Sequence, residues 1–181
     1  MTSPTCRQSG SSLIEVLIAL GLVAVTMLGL LAMQLRTLGL QKDSLDRRAA
    51  AVLVGGFADR VSANFAGFRD ANYSGRAFGP ADAAPLPAAV STCIDPDRCT
   101  PAEVAAREWD LFRIEVRSRL PGGVAFVTSG ATDALITVGW SDPRRTDPAA
   151  GGEAAGSFDP VCVAAGLSND SYRCYAARTT P

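Results

Sequence analysis

The chain begins with a short polar segment, followed by an unusually long apolar run. After Glu15 the next charged residue is Arg36, and the 20 residues at 16–35 are almost all apolar. As a helix this run would extend about 30 Å, which matches the hydrocarbon thickness of a bilayer. A removable secretory signal has a shorter apolar region and a small-residue cleavage site beyond it, which Met33-Gln-Leu-Arg36 does not provide. A buried core helix is the alternative, but a fully apolar helix of this length is unusual in so small a domain. The pattern therefore favours a transmembrane helix.

Beyond the run the pattern becomes that of an amphipathic helix. No proline occurs between residues 5 and 79, and Asp43 and Arg47 form an i,i+4 pair. The sequence predicts one long helix from about residue 12 to residue 66, with a weak point at Gly55-Gly56. The apolar residues of its outer half recur mostly four positions apart, at Leu38, Leu45, Ala49, Leu53, Phe57, Val61 and Phe65.

A second helix is predicted after a change of composition at residue 79. Ten of the 11 prolines lie beyond that point. Thr100, Pro101 and Glu103 form a capping box with proline at the first helical position, so a helix should start at Pro101. Residues 112–120 also alternate like a strand, but the capping box favours a helix that ends at Pro121-Gly-Gly123.

The last third of the chain carries strand signals. Residues 124–128 and 134–140 are rich in β-formers and flank a turn at 129–133, which predicts a hairpin. Residues 158–164 and 172–177 are interpreted as two further strands, with 167–170 in the turn between them. The predicted fold class is α+β, with a small antiparallel sheet packed on the outer half of the long helix.

Composition and charge exclude several classes of function. The 181 residues contain 17 Lys+Arg and 18 Asp+Glu, and 48% are hydrophobic, so neither a nucleic-acid-coating protein nor a disordered chain is expected. The chain has no histidine, which removes histidine-based nucleophile pairs, general acid–base chemistry and His-ligated metal sites. We therefore expect no catalytic residues, no cofactor and no metal.

The residues that lead into the apolar run, Gly10-Ser11-Ser12-Leu13-Ile14-Glu15, resemble the class III signal of type IV prepilins and pseudopilins. The resemblance implies that a prepilin peptidase cuts after Gly10 and methylates the new amino terminus at Ser11, where the family usually has Phe. Glu15 would then be the fifth mature residue. In a filament its carboxylate would pair with the amino terminus of a neighbouring subunit, because an uncompensated buried charge costs several kcal/mol.

The resemblance also implies a division of the chain and a place for each part. Residues 1–10 would be the leader, 11–35 the transmembrane and assembly half of the helix, 36–66 its amphipathic outer half, and 67–181 a globular periplasmic head. The implied fold is type IV pilin-like, with an extra helix in the head. The mature chain would cross the bacterial inner membrane once and then enter an extracellular pilus.

The partners implied are prepilin peptidase, the pilus assembly machinery of the inner membrane, membrane lipid before assembly, and other minor pilins and the major pilin through the N-terminal helix.

Several later stretches resemble a subgroup of minor pilins, the type IV pilus modification proteins: 29–36, 48–53 and 58–60 in the helix, a cysteine pair before Trp109, Leu120-Pro-Gly-Gly123, and Ile136-Thr-Val-Gly-Trp140. A pseudopilin of a type II secretion system is the alternative.

The cysteine count agrees with export of the head. Cys6 would leave with the leader, and an even four cysteines remain. Three pairings are open, and local closure favours Cys93 with Cys99 and Cys162 with Cys174, the latter across neighbouring strands. Each bond would stabilise the head by about 2–3 kcal/mol. The alternative is a four-thiolate zinc site, but the sequence has no C-x₂-C knuckle.

Two observations on charge favour interpretations other than a pilin with an exported head and no nucleic-acid partner. The positive-inside rule alone would not place the head outside, because Arg36, Lys42, Arg47 and Arg48 follow the span closely. A DNA-uptake pilin would need an exposed basic strip, for which the head offers Arg113, Arg117, Arg119, Arg144 and Arg145. Acidic residues are interspersed with these arginines, so a solvated mixed surface is favoured and no nucleic-acid partner is expected.

Overall fold

The computed structural model describes residues 13–79, 93, 98–142, 159–167 and 171–181. The chain divides into two compact units, residues 1–42 and residues 43–181. The described helices are α1 (Leu13–Ala63), α2 (Phe65–Arg69), α3 (Pro101–Arg119) and α4 (Pro160–Ala164). The described strands are β1 (Arg76–Phe78), β2 (Val124–Ser129), β3 (Ala134–Ser141) and β4 (Tyr172–Thr179).

Helix α1 is the long helix that the sequence predicts, but it ends earlier than expected. Helical structure continues through Gly55-Gly56 and stops at Ala63, three residues before the predicted end. The reason is Asn64, whose side chain accepts a hydrogen bond from the Gly67 N–H at 3.2 Å and so caps the short helix α2. The residues that were expected to close α1 therefore belong to a new helix.

The predicted start of α3 is confirmed. The Thr100 hydroxyl accepts from the Glu103 N–H, the Glu103 carboxylate accepts from the Thr100 N–H at 2.8 Å, and Pro101 occupies the first turn. The helix ends at Arg119, just before the predicted stop at Pro121-Gly-Gly123. Residues 112–119 are helical, as the capping box predicts.

The four described strands form one antiparallel sheet in the order β1-β2-β3-β4. The predicted hairpin is present, with Val124 opposite Gly139 and Ser129 opposite Ala134. Strand β4 runs along β3 from Tyr172 to Thr179, two residues longer than predicted. The sequence analysis did not identify β1, which has only three residues.

The predicted strand at residues 158–164 is wrong. Residues Pro160–Ala164 form the helix α4, and Phe158 lies outside the described residues. The Asp159 carboxylate accepts from the Val161 N–H at 2.9 Å, and Pro160 follows in the first turn. This aspartate cap and the proline after it start a helix, and they outweigh the β-preference of the two valines.

The main core of the second unit lies between one face of the sheet and the helices α1 and α3. Phe57 of α1 stacks on Phe112 of α3 with ring centroids 4.2 Å apart, and Trp109 and Tyr73 meet Phe57 edge to face. Side chains from the sheet that complete this core include Phe78, Val127, Ile136, Val138 and Trp140. The predicted α+β arrangement, in which a small antiparallel sheet packs on the outer part of the long helix, is confirmed.

The predicted apolar stripe is only partly the buried face of α1. Leu53, Phe57 and Val61 are buried, and Ala49 packs at the edge of the core. Ala50 and Val54 are also buried although they were not assigned to the stripe. Leu45 and Phe65, which were assigned to it, are more than half exposed. The buried face therefore keeps the middle of the predicted stripe, loses its two ends, and is one residue wider at Ala50 and Val54.

A smaller cluster covers part of the opposite face of the sheet. It consists of Val124, Cys162, Leu167 and Tyr172, with Phe126 and Cys174 packed against it. Helix α4 contributes to this cluster because Cys162 is fully buried in it. The sheet is thus covered on both faces near the amino-terminal end of β4.

Candidate processing and assembly site

The predicted processing residues Gly10 and Ser11 lie outside the described residues. Glu15 lies in the first turn of α1, and its side chain is exposed. The partial positive charge at the start of a helix favours a carboxylate at this position. The carboxylate is therefore accessible from outside the chain.

The apolar run that follows Glu15 is not buried within the protein. Its large side chains are all about half exposed or more, from Val23 at 48% to Leu35 at 71%. The helix is long and apolar enough to cross a membrane, and none of its most hydropathic 18-residue window is buried. An exposed apolar surface of this length needs lipid or other apolar helices around it.

The four cysteines of the head are joined in two disulfides. Cys93 bonds to Cys99, and Cys162 bonds to Cys174. The second bond joins helix α4 to strand β4 and not two neighbouring strands, because residues 160–164 are helical. A sulfur in a disulfide is not a thiolate and cannot serve as a zinc ligand. Within the described residues no group of three or more His, Cys, Asp or Glu side chains could hold a metal.

A partly buried hydrogen-bond network links the end of α1 to α3. Asn64 donates from Nδ2 to the Tyr73 hydroxyl at 3.0 Å and to the Pro101 carbonyl at 2.8 Å. The Tyr73 hydroxyl in turn donates to Glu108 Oε2 at 2.6 Å. Burial raises the pKa of Glu108, although the Tyr73 hydrogen bond and the nearby Arg60 and Arg107 oppose the shift. Burial also raises the pKa of the Tyr73 phenol well above its usual range.

The same two helices are also linked by an ion pair between Arg60 of α1 and Glu115 of α3. Arg60 Nη2 donates to both carboxylate oxygens of Glu115, at 2.9 and 2.8 Å. Both side chains are about one third exposed. The pair connects α1 to α3 through a single guanidinium nitrogen, and both groups are partly shielded from water.

A third polar link joins α1 to the sheet. Arg173 of β4 donates from Nε to Asp142 Oδ2 at 2.9 Å and lies 3.6 Å from Asp43 Oδ1. Asp43 also pairs with Arg47 at 3.1 Å, as the i,i+4 spacing predicts. Asp142 is almost fully buried at the end of β3. The cluster therefore holds the first turn of α1 in the second unit against the end of the sheet.

The arginines considered for DNA binding are engaged in part by the protein itself. Arg113 pairs with Asp110, and Arg117 lies over the Phe78 ring with its guanidinium carbon 4.6 Å from the centroid. Arg144 and Arg145 lie outside the described residues. Arg113 and Arg117 thus take part in ion-pair and ring contacts within the second unit.

Sequence reasoning missed these three polar links for an identifiable reason. The pairs Arg60–Glu115 and Asn64–Pro101 are separated by 55 and 37 positions, so no local spacing connects them. The only signal in the sequence was a polar residue on an otherwise buried stretch, such as Arg60 between Phe57 and Val61. Such a residue usually has a partner, but the sequence does not say which one.

Comparison with known proteins adds one finding. A model of the prokaryotic N-terminal methylation motif matches residues 5–31. No curated protein and no solved structure gives a significant match. The matched motif supports a precursor of the type IV pilin-like or pseudopilin kind, a structural class that prepilin peptidase processes and that assembles into pilus-like machinery. Together with the exposed apolar helix, it fits anchoring in a membrane.

Proposed function

We propose that this chain is a minor type IV pilin, a structural subunit that helps to prime and assemble the pilus fibre. The observation that carries the proposal is the combination of Gly10-Ser-Ser-Leu-Ile-Glu15 with an exposed apolar helix directly behind it. The methylation motif, matched over residues 5–31, covers the first feature and most of the second. Within this class the proposed divisions are the leader 1–10, the assembly half 11–35, the outer half 36–66 and the head 67–181.

The proposed subgroup is the type IV pilus modification protein PilV. It is supported by the cysteine pair before Trp109 and by the turn Leu120-Pro-Gly-Gly123, both of which lie in the head. The proposed location is the inner membrane with the head in the periplasm, followed by the extracellular fibre. Two disulfides in the head favour an oxidising compartment.

Glu15 is the proposed assembly residue. Its carboxylate is exposed in the first turn of α1, four residues after the proposed new amino terminus at Ser11. Inside a bundle of apolar helices it would pair with the amino terminus of a sister subunit, and the pair would set the axial register. The other proposed partners are minor pilins and the major pilin, which would also contact the chain through its apolar helix.

Mass spectrometry of the protein isolated from its own cells tests the processing step. We expect a chain that starts at N-methylated Ser11 and that lacks four hydrogens because two disulfides have formed. A Gly10→Val variant should keep its leader, since it removes the glycine after which the proposed cut falls. An intact chain that retains Met1 and carries free thiols would contradict the proposal.

Substitution of Glu15 tests the assembly role. Glu15→Gln and Glu15→Leu variants should be cleaved normally but should enter sheared pili at a much lower level than the parent. Asp59→Asn is a matched control, because it removes an exposed carboxylate from the same helix outside the apolar run. Normal incorporation of both Glu15 variants would argue against register setting by this residue.

A pseudopilin of a type II secretion system would carry the same motif and the same helix. Gene neighbourhood separates the two functions, because a pilin gene should lie with other pilus genes and a pseudopilin gene with a secretion operon. Deletion gives a second test: loss of surface pili with normal enzyme secretion supports the pilin, and the reverse supports the pseudopilin. A DNA-uptake role would require salt-dependent binding of duplex DNA by the protein.

A further inference from the structure

The exposed charges of the first unit are divided between the two ends of its helix. In the described part of this unit, residues 13–42, the charged residues are Glu15 near the start and Arg36 and Lys42 near the end. Both cations are exposed. Two leucines between them are exposed as well, Leu38 at 60% and Leu40 at 74%. The segment 36–42 therefore combines positive charge with apolar side chains on one stretch of helix.

From this arrangement we propose that segment 36–42 binds the headgroups of anionic phospholipids at the outer end of the membrane span. Arg36 directly follows Leu35, the last residue of the uncharged apolar run, so it lies where the hydrocarbon ends. Lys42 lies about 9 Å further along the helix. A headgroup layer extends about 5–8 Å beyond the hydrocarbon on each side, and the long Lys and Arg side chains reach several ångströms toward it.

The orientation of the chain in the membrane explains why segment 36–42 would need anionic lipid. The inference rests on the proposed function, in which the head faces the periplasm. Cations that follow a span on its exported side oppose that orientation by the positive-inside rule. Anionic lipid in the outer leaflet compensates for them, because each Lys or Arg near an anionic surface strengthens membrane binding about fivefold. The exposed leucines place the same segment in the apolar border of the headgroup layer.

Lipid selectivity of the reconstituted full chain tests this contact. Electron spin resonance with spin-labelled phosphatidylglycerol and phosphatidylcholine reports which lipid occupies the protein surface in a phosphatidylcholine bilayer. We expect the parent to prefer phosphatidylglycerol several-fold at low salt and to lose most of this preference at about 1 M salt, where the Debye length is about 3 Å. An Arg36→Gln/Lys42→Gln double variant should show nearly equal affinity for the two lipids.

Two controls isolate the charge at this position. Arg36→Lys/Lys42→Arg keeps both charges and should keep the preference. Arg69→Gln removes an exposed cation of the head, whose side chain is 72% accessible, and should leave the preference unchanged. A parent without lipid preference, or a double variant that retains it, would overturn the proposal. Chemical cross-linking tests a protein occupant of segment 36–42. If the double variant lost cross-links to a sister subunit while its lipid preference stayed unchanged, the segment would bind a protein, and the lipid proposal would be overturned.

A sidedness measurement separates this inference from the proposed function. In spheroplasts, added protease should digest the head of the membrane-bound chain. A protected head would overturn the periplasmic orientation and with it the argument for compensation. An accessible head without selectivity for phosphatidylglycerol would overturn the lipid contact alone and leave the pilin function standing.

Discussion

The polar residues between α1 and α3 show how individual charges are accommodated in the head. Glu108 is half-buried, and its carboxylate accepts a hydrogen bond from the Tyr73 hydroxyl. Tyr73 is fully buried and also accepts from Asn64, so its hydroxyl has both a donor and an acceptor partner. The network is satisfied at each of these atoms, which makes burial of the polar groups tolerable.

Glu108 should make the stability of the head depend on pH. Its pKa is raised above 4.5 because burial penalises the carboxylate. A raised folded-state pKa means that the folded state binds its proton more tightly than the unfolded state does. The contribution of Glu108 to the unfolding free energy is therefore fully present below the pKa of the unfolded state. It is lost as the pH rises through the folded-state pKa. Glu108→Gln should remove this dependence, measured as the difference in unfolding free energy between parent and variant from pH 4 to pH 8.

Glu103 provides the control of opposite sign. Hydrogen bonds from the Thr100 backbone and side chain lower its pKa. Its contribution is therefore present above the unfolded pKa and is lost as the pH falls through the folded one. Glu103→Gln should cost more stability at pH 7 than at pH 4. If the two glutamine variants change with pH in the same direction, the assignment of one of these carboxylates is wrong.

Among single residues, those with local partners were predictable and those with distant partners were not. Thr100, Pro101 and Glu103 were identified because a capping box involves neighbours three positions apart. Asp43 and Arg47 were identified for the same reason. Tyr73 and Glu108 are 35 positions apart, and only the packing of α3 against the end of α1 brings them together.

At the scale of elements, the capping box of α3 should have a measurable energy. Thr100→Ala removes the hydroxyl that accepts from the Glu103 N–H, which should destabilise the head by about 1 kcal/mol. Urea unfolding followed by tryptophan fluorescence measures the change, because Trp109 on α3 and Trp140 on β3 are both buried in the core. Ser118→Ala is the control, since its exposed hydroxyl only back-bonds to the Glu115 carbonyl near the helix end. Equal effects of the two substitutions would contradict a special role for the cap.

The contact between β3 and the smaller apolar cluster depends on a glycine. A Cβ atom at Gly139 would lie 2.8 Å from Val124 Cγ2 and 3.1 Å from Cys174 Sγ. The disulfide restrains Cys174, so Gly139→Ala should cost about 1–3 kcal/mol through overpacking. Gly55→Ala, where nothing lies within 4 Å, should instead stabilise α1 by up to about 1 kcal/mol. Thermal unfolding of both variants checks the difference in sign.

The elements that sequence analysis missed are short ones whose state is decided by context. Residues 160–164 contain two valines and a cysteine and were interpreted as a strand, but the Asp159 cap and Pro160 make them helical. Strand β1 has three residues and exists because it pairs with β2 from Arg76–Val127 to Phe78–Ala125. In contrast, α1, α3 and the β2–β3 hairpin have strong local signals over many residues, and these were predicted with small errors at their ends.

At the scale of the whole molecule, one helix serves two environments. Residues 13–42 of α1 belong to the first unit and present apolar side chains to the surroundings. Residues 43–63 belong to the second unit and bury Leu53, Phe57 and Val61 in its core. The sequence predicted this change because the pattern shifts from apolar on all sides to amphipathic near Arg36. It could not predict that the second unit begins with an ion cluster.

Arg173 should control how firmly the first turns of α1 in the second unit are held to the sheet. It bridges Asp142, which is 8% exposed, and Asp43 on α1. Arg173→Met keeps the length and apolar stem of the side chain but leaves Asp142 without this cation, which should cost about 2 kcal/mol because the site is only partly shielded from water. Hydrogen exchange should accelerate at residues 43–50 more than at the core residues 53–61.

Arg178→Met is the control for this prediction. It removes an arginine that is 70% exposed and paired with Asp133, so it should change the stability of neither region by more than about 0.5 kcal/mol. Equal exchange in the two variants would mean that apolar packing alone holds this part of the helix.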